Sequence, residues 1–389
     1  MVTSQVLPGI AAIQEEMIAL RHSIHAHPEL GFEEFTTSRL VAECLLQWGY
    51  EVSTGVGKTG VVATLTNGQG RSIGLRADMD ALPIQEATGL PYASRVDGVM
   101  HACGHDGHTA TLLAAARYLA QSRSFNGTVQ LIFQPAEEGL GGARKMLEDG
   151  LLERFPCDAI FAMHNIPGYP VGHLGFYSGP FMASADTVNI RINGCGGHGA
   201  VPHKAIDPVV VCASIVMALQ SIVSRNVNPQ DTAIITVGSI HAGTVSNVIP
   251  DSADMCLSVR ALTPEIRQLL QVRITELVTA QASSFGARAQ IDYQRCHPVL
   301  VNDPESTAFA REVARQWLGE GRLIDNLRPF TASEDFAFML EQCPGSYLVI
   351  GNGDGESGCL LHNPGYDFND ACLPIGASYW VRLVESFLR

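Results

Sequence analysis

Met100-His101-Ala102-Cys103-Gly104-His105-Asp106-Gly107-His108 packs three histidines, a cysteine and an aspartate into nine residues. Imidazole, thiolate and carboxylate are the side chains that bind transition metals. The glycines at 104 and 107 allow a turn sharp enough to aim several of them at one point. By itself the run reads equally as a buried thiol beside a solvated histidine, so its neighbours decide. Working outward, Val61–Leu65 and Ile73–Ala77 read as strands joined through a turn containing Asn67-Gly68. Asp78-Met79-Asp80 follows the second of them. Thr109–Gln121, rich in Ala and Leu, reads as a helix. Val129–Phe133 is a strand followed by Gln134-Pro135-Ala136-Glu137-Glu138-Gly139, and Ala159–Ala162 a short one followed by Met163-His164-Asn165. Asp78, the Glu pair and His164 each fall just past a strand's C-terminal end, the edge where open α/β sheets bind ligands. An α/β catalytic domain with helices around a sheet is the expected fold.

Ile10, Ile13, Met17, Leu20 and Ile24 mark an amphipathic helix that Pro28 stops, and a second helix starts near Thr36 with Gly49 as its C-cap. His22, His25 and His27 have no acid or thiol to complete a site there and read as surface or packing residues. From Thr187 the texture changes. Val188, Ile190 and Ile192 alternate, a glycine-rich loop 194–203 follows, and a helix spans about 208–224. Strands at 233–240 and 253–261, a helix opened by Thr263-Pro264 and a strand at 287–294 complete a β-α-β-β-α-β order, that of a ferredoxin-like α+β unit. The texture before 184 returns after 294, with helices near 307–318 and from Glu334, the latter capped by Ser333, and a closing helix. The expected organisation is a discontinuous catalytic domain, 1–183 and 295–389, interrupted by an inserted domain, 184–294.

Composition narrows the partners. With 46% hydrophobic and 16% charged residues, 389 residues can bury a large core. A formal charge of −14 argues against nucleic acid or an anionic membrane as partner. Met1–Gln5 shows no basic region leading into an apolar core, no apolar run reads as long enough to span a bilayer, and the ten cysteines lack the spacing of a disulfide scaffold. A cytoplasmic protein is expected.

Cys103, His105, Glu138, His164 and His362 are the strong ligands gathered at the sheet edge. Five exceed what one tetrahedral zinc with an open position uses, and suit two divalent ions sharing a bridging ligand and a water. The thiolate favours zinc, while the mixed donor set leaves manganese, cobalt or nickel open. In Glu137-Glu138 adjacent side chains diverge, so Glu138 can bind metal while Glu137 serves as general base. The bland reading of that pair is the acidic start of a helix.

Arg76-Ala77-Asp78-Met79-Asp80-Ala81-Leu82-Pro83, Met100–His108, Gln134–Gly139 and His362-Asn363-Pro364 through Asp370 together resemble the M20 metallopeptidase family, in particular its amidohydrolase branch of hippurate hydrolases, N-acyl-amino-acid deacylases and auxin-conjugate hydrolases. The likeness runs through nearly the whole chain, including Arg21–Glu29 and the insertion. It implies hydrolysis of small N-acyl amino acids by dimetal-bound water, with Cys103, His105, Glu138, His164 and His362 as ligands and Glu137 as base. It also implies an insertion acting as lid and dimerisation domain, in a homodimer or homotetramer. Asp78 stands where distant relatives carry a ligand histidine, so Asp78 and Asp80 are expected to support the site and His108 to pack. His198, in Gly197-His198-Gly199-Ala200, resembles the family's oxyanion-stabilising histidine. Asn247 and Arg260 resemble substrate-binding residues, with His203 and His241 weaker matches. Cys195 departs from the family's loop, outside the ligand set. Two other readings are weighed against this one: Cys103 as a covalent nucleophile activated by His105, and a catalytically silent binding protein on a peptidase scaffold.

Overall fold

The computed structural model describes residues 6–353 and 359–389. Met1–Gln5, read above for a leader, lies outside the described residues. The chain forms two compact units. One comprises Met1–Gly179, Val301–Arg328 and Asp335–Arg389; the other comprises Pro180–Leu300 and Pro329–Glu334. These bounds differ from those read off the texture, chiefly because 329–334 joins the inserted unit. The Ala183 N–H donates to Phe330 and Ala332 carbonyls at 3.1 and 2.9 Å, and six aperiodic residues carry no sequence signal for such a contact.

The larger unit is α/β. Its seven-stranded sheet runs Glu51–Val56, Gly60–Asn67, Gly127–Gln134, Ser72–Asp78, Ala159–Ile166, Gly345–Gly351, Leu174–Gly175. The four strands from Gly127–Gln134 to Gly345–Gly351 pair in parallel, and the outer pairings are antiparallel, so the sheet is mixed. Parallel strands are covered on both faces, which is why Leu131–Phe133, Ile160–Ala162 and Tyr347–Ile350 are continuous apolar runs rather than alternating ones. Their shared direction puts Asp78 opposite Gln134 and His164 opposite Val349, so the loops that follow leave from one edge.

Four local expectations change. The strands at 60–67 and 72–78 are not a hairpin: Gly127–Gln134 lies between them. The connecting loop crosses Asn126, and a Cβ on Gly70 would sit 2.1 Å from the Asn126 carbonyl oxygen. The helix after the cluster begins at His105, not Thr109, and is buried almost all round. The strand at Ala159 continues to Ile166, so His164 is held within it. The helix expected from Glu334 shrinks to Ala337–Leu340 without a Ser333 cap, because Asp335 instead accepts the Ala143 N–H at 2.9 Å and 345–351 becomes a buried strand.

The inserted unit has the β-α-β-β-α-β order. Its antiparallel sheet runs Ala233–Ala242, Ser252–Ala261, Ser184–Asn193, Arg288–His297, which is 2-3-1-4 in chain order and thus ferredoxin-like. Val188, Ile190, Ile192, Met255, Leu257 and Val259 line one sheet face and bury it with helices Pro208–Arg225 and Pro264–Ser284. Pro208–Arg225, with mean hydropathy 1.7, is the one helix among the described residues long and apolar enough to cross a membrane, although Ser214, Gln220 and Ser221 interrupt its apolar run. Here Val211, Cys212, Ile215, Leu219 and Ile222 are spent on the unit's own core.

Candidate active site

Cys103, His105, Glu138, His164 and His362 converge. The ligand atoms of Cys103, His105 and His164 lie within 4.8 Å of one another, and so do those of Cys103, Glu138 and His362. Cys103 belongs to both triads. A third group, His105, Glu137 and Glu138, meets the same limit, so the Glu137 carboxylate borders the ligand set.

Local structure aims each group. Gly104, at φ 90°, turns the chain into the helix, and a Cβ there would lie 2.4 Å from Asn165 Oδ1. His105 Nδ1 lies 3.2 Å from Asp80 Oδ1, and its buried Nε2 has no hydrogen-bond partner among the described residues. His164 Nδ1 donates to the Asn165 carbonyl at 2.6 Å, which leaves Nε2 facing Cys103 Sγ at 3.3 Å. Anchoring the outer nitrogen fixes the ring and turns the inner lone pair toward a metal. The Glu138 N–H donates to the other Asp80 oxygen at 2.9 Å, so one carboxylate orients two prospective ligands. Ala136, at φ 52°, bends the chain before the Glu pair, and its N–H donates to the buried Glu34 at 2.8 Å. Glu138 then reaches His362, with Oε1 and Nε2 3.1 Å apart, while the Asp335 N–H approaches Glu137 Oε1 at 3.4 Å.

The donor set fits divalent cations: imidazole, thiol and carboxylate around an orphaned ring nitrogen. It also holds protons that a cation must expel. Contact with Cys103, then Glu138, pushes His362 up to about 10, and burial, then Glu138, raises the Cys103 thiol. Burial, then His108, holds His164 well down. Against its burial, Asp78 and then Cys103 hold His105 well up too, so three raised groups keep their protons at neutral pH. Binding releases them and apparent affinity climbs with pH, by about tenfold per unit for each proton displaced. Calorimetric zinc titrations from about pH 6 to about pH 8, in buffers of different ionisation enthalpy, should show this release. A flat affinity without proton release would contradict the arrangement.

Several supporting residues were not assigned individual roles from the sequence. Asp80 is one; its side chain and that of Asp78 share a face by the strand's period of two, the signal that could have paired them with the site. His108 Nδ1 lies 2.6 Å from Asp78 Oδ1 and its Nε2 2.6 Å from Asn165 Oδ1, so both ring nitrogens already have partners, although Asp78, His105 and His108 also bring ligand atoms within 4.8 Å of one another. Asn165 in turn donates to the Tyr366 hydroxyl. His25 and His22, read as surface or packing residues, take part in an ion-pair cluster: His25 is buried on Asp106 at 2.9 Å, and half-buried His22 reaches Asp370 at 2.8 Å.

The remaining expected residues lie in the inserted unit. His198 is exposed and pairs across strands with Val248; Asn247 precedes that residue and its carbonyl accepts the Gly199 N–H at 2.8 Å. His198 Nδ1 accepts the Ala200 N–H at 3.0 Å, so in the neutral ring the proton sits on Nε2, which is then a donor. Arg260 Nη1 donates to the Thr331 carbonyl at 3.1 Å, a backbone contact in place of a salt bridge across the strand face.

Comparison with known proteins identifies the family. Residues 74–386 match the model of peptidase family M20/M25/M40. The chain is 47% identical over 384 residues to the hippurate hydrolase of Campylobacter jejuni, covering 98% of this chain and 99% of that protein. It is 40% identical over 385 residues to the N-acetyl-L-cysteine deacetylase of Bacillus subtilis, covering 97% of this chain and 90% of that one. Among solved structures, the Bacillus subtilis YXEP protein, a dinuclear metal binding peptidase from the M20 family, superposes with TM-score 0.84 at 36% identity, over 97% of this chain and 99% of that one. The converging donors, the mixed sheet and these relatives agree that the chain belongs to peptidase family M20/M25/M40, in its amidohydrolase branch, and is a metal-dependent hydrolase.

Proposed function

We propose that the protein hydrolyses the amide bond of N-acyl amino acids, releasing a carboxylate and a free amino acid. The observation that carries this reading is the Cys103 corner shared by two ligand triads, with the Glu137 carboxylate alongside. Hippurate and N-acetylcysteine, which relatives are named for, head the substrate candidates. Two divalent ions of zinc, manganese, cobalt or nickel, when bound by Cys103, His105, Glu138, His164 and His362, supply carbonyl polarisation and an activated water. Glu137 takes a proton from the attacking water and delivers it to the leaving nitrogen. His198 offers its Nε2–H to the developing oxyanion. Asn247 and Arg260 hold the substrate, the guanidinium gripping its carboxylate with the donors that Thr331 leaves over. The inserted unit serves as lid and as the contact of a homodimer or homotetramer, in the cytoplasm.

A thiol-nucleophile mechanism fits less well. A nucleophilic cysteine needs exposure and a depressed pKa, whereas Cys103 is buried and its thiol is pushed up. The test is turnover of N-benzoyl, N-acetyl and indole-acyl amino acids. Activity is expected to vanish on chelation and return with one of the four metals. Turnover that survives thorough chelation, or metal-loaded protein inert on the whole panel, would sink the reading.

A further inference from the structure

We propose that Arg21, remote in sequence from every ligand, is a positioning residue that fixes His362 against the Cys103–His105 corner and thereby governs the second of the two ions. The inference rests on the two-ion reading above.

Arg21 lies in helix Gln14–His25 with its side chain fully buried. A buried guanidinium needs charged partners, and those of Arg21 come from two different segments. Nε donates to Asp106 at 2.7 Å, in the first turn of the helix that opens with His105. Nη1 reaches Asp370 at 3.3 Å and Nη2 bonds Asp367, both in the segment that follows His362. Tyr92 and Phe368 flank the guanidinium at 5.0 and 5.8 Å, and the Tyr92 hydroxyl donates to Asp367 at 2.7 Å. The two segments also touch directly: a Cβ on Gly107 would sit 2.4 Å from the Phe368 ring. Arg21 therefore bridges the carrier of Cys103 and His105 to the carrier of His362. Without it, Asp106 keeps His25, Asp370 keeps His22 and Asp367 keeps the Tyr92 hydroxyl, but the guanidinium that joins the two segments is lost.

His362 is the ligand most in need of such support. His105 is set by a helix and His164 by a strand, whereas His362 sits at φ 65° in irregular chain with its side chain 52% exposed. Its N–H donates to the Ala102 carbonyl at 2.8 Å, the one backbone hydrogen bond at this residue among the described residues. The triad of Cys103, His105 and His164 contains no residue from this segment; the triad of Cys103, Glu138 and His362 does. Displacing the segment should weaken one ion and spare the other. A general loss of stability would not discriminate.

Zinc titrations by calorimetry, with metal content after equilibrium dialysis, test this on the full chain. Wild type should take two ions. Arg21→Met should keep the first within about threefold and weaken the second by about a hundredfold, with Arg21→Lys intermediate because it keeps the charge without the planar fork. Should Arg21→Met fail to fold, Asp367→Asn decides, with the second ion weakened by about tenfold. Two ions at unchanged affinity, or both weakened alike, in whichever variant decides overturns the inference alone. A wild type that takes fewer than two ions overturns the two-ion reading and this inference with it.

Discussion

Glu137→Gln is expected to lower kcat by about a thousandfold, at the centre of the range for removing a general base, with KM and metal content little changed. Glutamine keeps the size and the acceptor oxygen of the side chain, so the approach of the Asp335 N–H to this position survives. It cannot take up a proton. The prediction separates the two adjacent carboxylates: Glu138 faces His362, so Glu138→Gln should lose metal, while Glu137→Gln should not. Steady-state kinetics on hippurate or N-acetylcysteine, paired with metal analysis, reads both. A Glu137→Gln variant within about tenfold of wild type would remove Glu137 from the proton-transfer role. One that loses metal would make it a ligand instead.

Cys103→Ala should have the larger effect on metal. Because Cys103 stands in both triads, its loss leaves each with two donors, and affinity for both ions should fall on the order of a thousandfold or more. His362→Ala removes a donor from one triad only and should cost chiefly one ion. The contrast between the two variants, measured as ions retained after dialysis, tests whether Cys103 is a shared corner. Equal losses in both would contradict it. An inactive Cys103→Ala protein that still holds two ions would revive the thiol nucleophile.

Much of this was legible in the chain. Period-two and period-3.6 patterns located the ferredoxin-like unit, because each of its elements buries one face and so alternates. The parallel strands of the larger unit read less clearly. Gly345–Gly351 is buried on both sides and has no alternation, and it was not read as a strand at all. The order of strands was also hidden, since the turn at Asn67-Gly68 states that the chain reverses and not what it will lie beside. Glu137 and the five donors could be named from residue chemistry and family likeness. Asp78 and Asp80 could be named as supports, but not which groups they and the other supports hold. Asp80 on His105 and Glu138, Asn165 between His108 and Tyr366, and Arg21 among Asp106, Asp367 and Asp370 join residues up to 349 positions apart.

Met100–His108 shows the division most plainly. By itself the sequence determined that this run could bind metal, since donor type is a property of the side chain. Which of its members point at the site depended on what packed around them. Asp78 and Asn165 hold His108, and Arg21 and His25 hold Asp106. Cys103 and His105 alone are left aimed at Glu138, His164 and His362. Coordination needs several lone pairs within a few Å of one point, and only the tertiary structure brings strand ends from distant parts of the chain to that point.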